Sequence, residues 1–187
     1  IGLPLDIAGG RSHLRIGMFL LFTACSGTNK VNTPEPTEQV ESGETLLDPP
    51  VNGVNTFVHD DLEREFRLHI PPDPSPNAPL VIVMHGYTSS AQVIEGYSGM
   101  NTLADEHGFV VVYPQGTKDN WGNSFFNVGY DFQFNENVDD VAFTLALNDY
   151  LQANYALDET AVYATGMSNG GDFCYLLACE ASTVFQA

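Results

Sequence analysis

Positive charge is scarce in this sequence. Its 187 residues hold six Lys and Arg against 24 Asp and Glu, a formal net charge of −18 at neutral pH. A field of that sign repels phosphate backbones and anionic headgroups, which excludes nucleic acid as a partner and leaves a lipid anchor as the only route to a membrane. Cysteine is nearly as rare, at Cys25, Cys174 and Cys179 only. No disulfide framework follows from these three, since Cys174 and Cys179 share a segment of helical pattern in which they are poorly oriented to bridge. The five histidines are scattered, with no pair at helical ligand spacing, so no metal site is expected. No apolar run reaches the roughly 18 residues that a spanning helix needs.

What is present begins with a signal. In RSHLRIGMFLLFTAC, residues 11–25, Arg11 and Arg15 precede a short apolar core from Ile16 to Ala24, then small residues and Cys25. That is the layout of a secretory leader. The run LFTAC resembles a bacterial lipoprotein signal, in which the cysteine becomes the lipidated first residue, although Phe22 departs from the small aliphatic residue usual there. Residues 1–25 are read as this signal, with export and lipidation of Cys25 as expectations. Residues 26–50 are rich in Pro, Glu, Thr and Ser and poor in aromatics. They carry too little apolar surface to offset their ordering entropy, and a flexible tether is expected. The domain is assigned to residues 51–187. The first residue is Ile1, so the chain is expected to be incomplete at its N-terminus.

Within the domain, NTFVHDDLEREFRLHIP predicts a hairpin turning at His59–Asp61, with Phe66, Leu68 and Ile70 alternating against Arg67 and His69. His59 and His69 therefore read as turn and exposed-face residues. The apolar runs in PLVIVM, FVVVYP and AVYAT predict three strands buried on both faces. Helices are predicted over 98–107, with Gly108 as its stop, and over 137–154, with Asn137 as cap and Asp139 and Asp140 at its positive end. The wide apolar face of the second holds Val141, Phe143, Leu145, Leu147 and Leu151. Strand alternating with helix is the pattern of a mostly parallel sheet with flanking helices. Residues 115–136 contain no convincing element, yet they hold Trp121, Phe125, Phe126, Tyr130, Phe132 and Phe134. Such a loop is functional or merely covers the core.

The stretch AVYATGMSNGG supplies the chemistry. It reads as strand, then G-x-S-x-G, then helix, the context of a nucleophile elbow with Ser168 at its apex. Gly166 and Gly170 relieve the crowding of such a turn, and the helix N-terminus favours an oxyanion near the hydroxyl. A second donor is expected from the MHGYTSS turn. The N–H groups of Asn169 and Tyr87 are assigned to an oxyanion hole, with Thr88 as substitute for the second. His85, inside that turn, is assigned a structural role.

In order along the chain, PLVIVMHGYTSSAQ, LADEHGFVVVYPQGT, VDDVAF and VYATGMSNGG resemble successive blocks of the polyhydroxybutyrate depolymerase-like esterases. That group is related to the feruloyl and acetyl xylan esterases of carbohydrate esterase family one, within the α/β-hydrolase superfamily. The likeness covers about residues 65–181. It implies an α/β-hydrolase fold, a secreted enzyme that needs no cofactor, ester cleavage through an acyl-serine on Ser168, and a place for Trp121 near the bound ester. The substrate stays open among polyesters, feruloylated xylan and small acyl esters. One departure stands out. The triad of this superfamily runs Ser, Asp or Glu, then His, but no histidine follows Ser168, and the acidic residues after it, Asp172 and Glu180, lie on the helix leaving the elbow. Residues 1–187 are thus expected to be the N-terminal portion of the fold, lacking its last strands and its base, and inactive alone. A prolyl oligopeptidase-type peptidase shares the elbow, and a non-catalytic tethered binding protein would retain the fold, so both stay open.

Overall fold

The structure is a computed structural model that describes residues 49–131 and 138–186. The signal with Cys25, nearly all of the tether, and the readings placed on Phe132, Phe134 and Asn137 lie outside the described residues.

Two strands open the fold, β1 (Gly53–His59) and β2 (Leu62–His69), paired antiparallel. Asp60 and Asp61 between them both have positive φ, 49° and 59°, as a tight hairpin turn requires. Then come β3 (Ala78–Met84), α1 (Ala91–Ser98), α2 (Met100–His107) and β4 (Val110–Pro114). A two-stranded ladder follows, β5 (Thr117–Lys118) with β6 (Ser124–Phe125). The remaining elements are α3 (Asp140–Asn154), β7 (Leu157–Gly166) and α4 (Asn169–Glu180). Among the described residues the main sheet has the order β1-β2-β4-β3-β7, with β4, β3 and β7 parallel and β2 antiparallel to β4.

Strand alternation divides the apolar side chains between two faces. Leu80, Ile82 and Met84 of β3 join Val110 and Val112 of β4 in a core with Phe143, Leu147 and Leu151 of α3 and Phe173 and Leu177 of α4. On the other face Val83, Val111 and Tyr113 pack with Ala91 and Ile94 of α1 and Ala104 of α2. The continuous apolar runs of β3 and β4 exist because each face has its own helical cover.

Four expectations change. The helix predicted over 98–107 is found as α2 but starts at Met100, because Gly99 adopts a left-handed φ of 69° that separates it from α1; Gly108, with φ 75°, ends it as expected. The unpredicted α1 starts where the Ser90 hydroxyl accepts a hydrogen bond from the Val93 N–H, at 3.2 Å. The third helix begins at Asp140, and its cap is Asp139, whose carboxylate accepts from the Ala142 N–H at 2.8 Å. Its inward row is Phe143, Leu147 and Leu151, bordered by buried Asp140, Thr144 and Asn148, while Val141 and Leu145 are half-buried. The strand around AVYAT is not buried on both faces. Val162 alone in β7 is buried and Tyr163 is 42% exposed, because among the described residues β7 is the outer strand, paired along its length only with β3. Its other edge meets an isolated parallel bridge from Val162 to Phe185. Finally, the segment expected to lack elements contains β5 and β6.

Candidate active site

The parallel strands β3, β4 and β7 deliver their C-terminal ends to one edge of the sheet, the place where open α/β sheets bind ligands. There β3 leads into His85–Thr88, β4 into Gln115–Gly116, and β7 into Met167 and Ser168.

Ser168 is exposed and has φ 52° and ψ −121°, a backbone conformation that L-residues avoid and that a strand-to-helix elbow imposes. Its hydroxyl makes no capping bond to α4, which starts at the next residue. The glycines flanking the serine are required by contact. A Cβ on Gly166 would lie 2.5 Å from the Gly170 carbonyl, and one on Gly170 would lie 2.6 Å from the main-chain oxygens of Met84 and His85. Those contacts seat α4 directly on the end of β3.

The turn after β3 reaches the serine. A Cβ on Gly86 would stand 3.2 Å from the Met167 oxygen and 3.5 Å from the Ser168 Cβ. Tyr87 follows, and Thr88 holds a left-handed φ of 67°, unusual for a β-branched residue. Strained backbone thus occurs on both segments of this edge. The Thr88 N–H donates to the Ser124 carbonyl at 2.9 Å, so it is committed and does not serve as the substitute donor. Asn169 opens α4, where main-chain N–H groups have no intrahelical acceptor.

His85 is fully buried with both ring nitrogens engaged. The Gly116 N–H donates to Nε2 at 3.0 Å, which places the ring proton on Nδ1, 2.8 Å from the Gly86 carbonyl. Burial holds its pKa below the usual histidine value, opposed by the bond to Gly86. The ring is a neutral brace for the turn, not a base for Ser168.

Trp121 is 62% exposed at the tip of the β5–β6 hairpin. The buried Asp119 organises that tip: one carboxylate oxygen accepts from the N–H groups of Trp121 and Asn123, at 2.9 and 2.8 Å, and the other accepts the Tyr87 hydroxyl at 2.6 Å. Burial acts to raise the Asp119 pKa, but the Tyr87, Asn123 and Trp121 bonds outweigh it and hold the group below the usual carboxylate value. The Trp121 hairpin and the turn carrying Tyr87 are therefore one hydrogen-bonded unit.

Sequence reasoning missed two groups. Asp119 is the first residue of DNWG, whose Asp and Gly are turn chemistry. Arg64 shares the inward parity of Phe66 and Leu68 in β2, a position where a lone basic residue signals a buried partner. That partner is Asp140, 2.5 Å away, whose second oxygen accepts the Asn127 N–H at 2.6 Å. Among the described residues Cys174 and Cys179 are unpaired with each other.

A mostly parallel sheet with antiparallel leading strands, helices on both faces and a strained serine between β7 and α4 is an α/β-hydrolase fold. The structure of native sOPH has this fold, with a TM-score of 0.61 and 24% identity over 74% of this chain and 50% of that one. Residues 65–187 match the family model described as Esterase PHB depolymerase, and the chain belongs to that family. It is 33% identical over 117 residues to poly(3-hydroxyalkanoate) depolymerase C of Paucimonas lemoignei, covering 63% of this chain and 28% of that protein. It is 30% identical over 112 residues to the bifunctional acetylxylan esterase/xylanase XynS20E of Neocallimastix patriciarum, covering 60% of this chain and 15% of that protein. The chain thus spans well under two thirds of the length of these relatives.

Proposed function

We propose that the whole protein is an exported carboxylic-ester hydrolase acting through an acyl-serine at Ser168. The observation that carries this reading is the exposed Ser168 on a strained elbow, with the N-terminus of α4 behind it. Ser168 Oγ attacks the ester carbonyl, and the main-chain N–H groups of Asn169 and Tyr87 receive the developing oxyanion. A histidine beyond Ala187, oriented by an Asp or Glu, takes the serine proton and passes it to the leaving alcohol; water then releases the acid. The base is sought there because residues 169–187 contain no histidine and His85 is committed to Gly86 and Gly116. The substrate class is a polyester or an acylated cell-wall polysaccharide, in keeping with the relatives and with the exposed Trp121, which offers a stacking face. Export and a lipid anchor at Cys25 complete the proposal on sequence grounds.

The test uses the gene extended past Ala187. Its product should hydrolyse 4-nitrophenyl acetate, and Ser168→Ala should lower turnover by about 10⁴-fold or more. A fluorophosphonate should label Ser168. Residues 1–187 alone should be inactive. Strong activity from that shorter chain, abolished by His85→Ala, would refute the assignment of the base.

A further inference from the structure

The two proposed oxyanion donors belong to different segments: Tyr87 follows β3, and Asn169 opens α4. Their relative placement must come from whatever ties those segments together. The short run Ser124–Phe126 is bonded to both. On one side the Ser124 carbonyl accepts the Thr88 N–H at 2.9 Å. On the other, the side-chain amide of Asn169 pairs with Phe126 in both directions. The Phe126 N–H donates to Oδ1 at 2.8 Å, and Nδ2 donates to the Phe126 carbonyl at 2.9 Å. Asn169 therefore holds this run as a neighbouring strand would, from a site where it is only 2% exposed.

The run is also gripped from within the core. The Phe126 ring is fully buried, with centroids 4.7 Å from His85 and 5.1 Å from Phe173. Gly116 lets the neighbouring main chain close on Phe125, since a Cβ there would stand 2.3 Å from the Phe125 oxygen. At the far end of the hairpin, the Tyr87 hydroxyl bonds Asp119 and accepts the Asn123 amide at 3.1 Å.

We infer that the Asn169 side chain is a positioning residue: by pairing with Phe126 it sets the separation and angle of the Asn169 and Tyr87 amides, and so the fit to a tetrahedral oxyanion. The inference deepens the acyl-serine proposal and rests on it. The chemistry is specific to asparagine. An aspartate keeps the acceptor but loses the donor and turns an oxygen towards the Phe126 carbonyl; a glutamine is one methylene too long; an alanine leaves two buried main-chain groups unpaired.

The experiment compares wild type, Asn169→Asp and Asn169→Ala in the protein extended past Ala187. Active sites are counted by fluorophosphonate labelling carried to completion, so turnover is expressed per competent molecule even where a variant folds poorly. Each is assayed on 4-nitrophenyl acetate and titrated with phenylboronic acid, whose tetrahedral serine adduct places an oxygen where the oxyanion sits. Turnover per site should fall about 10- to 100-fold with KM nearly unchanged, as for an interaction made in the transition state. The boronate should weaken by the same factor as kcat/KM. Turnover per site and boronate affinity both unchanged, with only fewer competent sites or a lower Tm, would overturn the inference and leave Asn169 a folding staple. Failure of the underlying reading looks different: Ser168→Ala would remain active, or the phosphonate would label another residue, and the inference would fall with it.

Discussion

Replacing Arg64 by methionine should destabilise the domain more than any surface change, because it strands a carboxylate. The Arg64 and Asp140 side chains are 4% and 0% exposed and 2.5 Å apart. The guanidinium carbon lies 3.8 Å over the centroid of the Phe143 ring, and a bond from Asn127 occupies the second Asp140 oxygen. Removing one partner of such a pair costs about 3–5 kcal/mol, since the charge left behind keeps its desolvation penalty. Asp140→Asn alone should cost a similar amount, leaving the buried guanidinium without a counter-charge, with only neutral neighbours such as the Gln115 carbonyl at 3.4 Å and the Phe143 ring. The double replacement Arg64→Met/Asp140→Asn removes both charges, keeps an acceptor for Asn127, and lays an apolar side chain on Phe143. It should cost roughly 1–2 kcal/mol, giving a coupling of some kcal/mol between the sites. At about 2–4 °C per kcal/mol, each single change lowers Tm by roughly 6–20 °C and the double change by far less. Urea unfolding of the whole protein followed by far-UV circular dichroism reads this directly. Salt should leave the pattern intact, because solvent ions do not screen a buried pair. A double variant as unstable as the sum of the singles would refute the reasoning, since each charge would then be paying its penalty independently of the other.

Two further outcomes follow from the geometry of the elbow. Gly170→Ala forces a Cβ to within 2.6 Å of two main-chain oxygens, whereas a Cβ on Gly171 would meet the Gly166 oxygen at an ordinary 3.5 Å. The first should lower stability by at least about 1–3 kcal/mol and the second should be neutral or stabilising; equal Tm shifts would contradict the packing of α4 on β3. Burial keeps the folded-state pKa of His85 below its unfolded value of 6.5. The unfolded chain therefore binds a proton that the folded one refuses, so this contribution is fully present above the unfolded value and is lost as pH falls towards the folded one. Between pH 7.5 and pH 5.5 the Tm of the wild type should drop more than that of His85→Gln; parallel profiles would remove His85 as a source of acid sensitivity.

Local pattern alone determined the elbow, the two central strands, the opening hairpin and the stop at Gly108. Each is written in adjacent residues: a glycine where φ must be positive or a Cβ would clash, a run of apolar side chains where both faces are covered, a polar pair where a hairpin turns. The same pattern misjudged β7, because AVYAT has the composition of a covered strand whatever stands beside it, and its exposure follows from β3 being its only full-length neighbour among the described residues. It missed α1 and the break at Gly99 that separates it from α2, since a glycine is compatible with either a weak helical position or a break. It placed Ser168 but not the amide clamp beside it, which joins Asn169 to Phe126 across 43 positions, nor the ion pair that joins Arg64 to Asp140 across 76. A side chain's hydrogen-bonding capacity is a local property, and its partner is not: only the packing of the sheet and helices brings the two within 3 Å and excludes the water that would otherwise satisfy them.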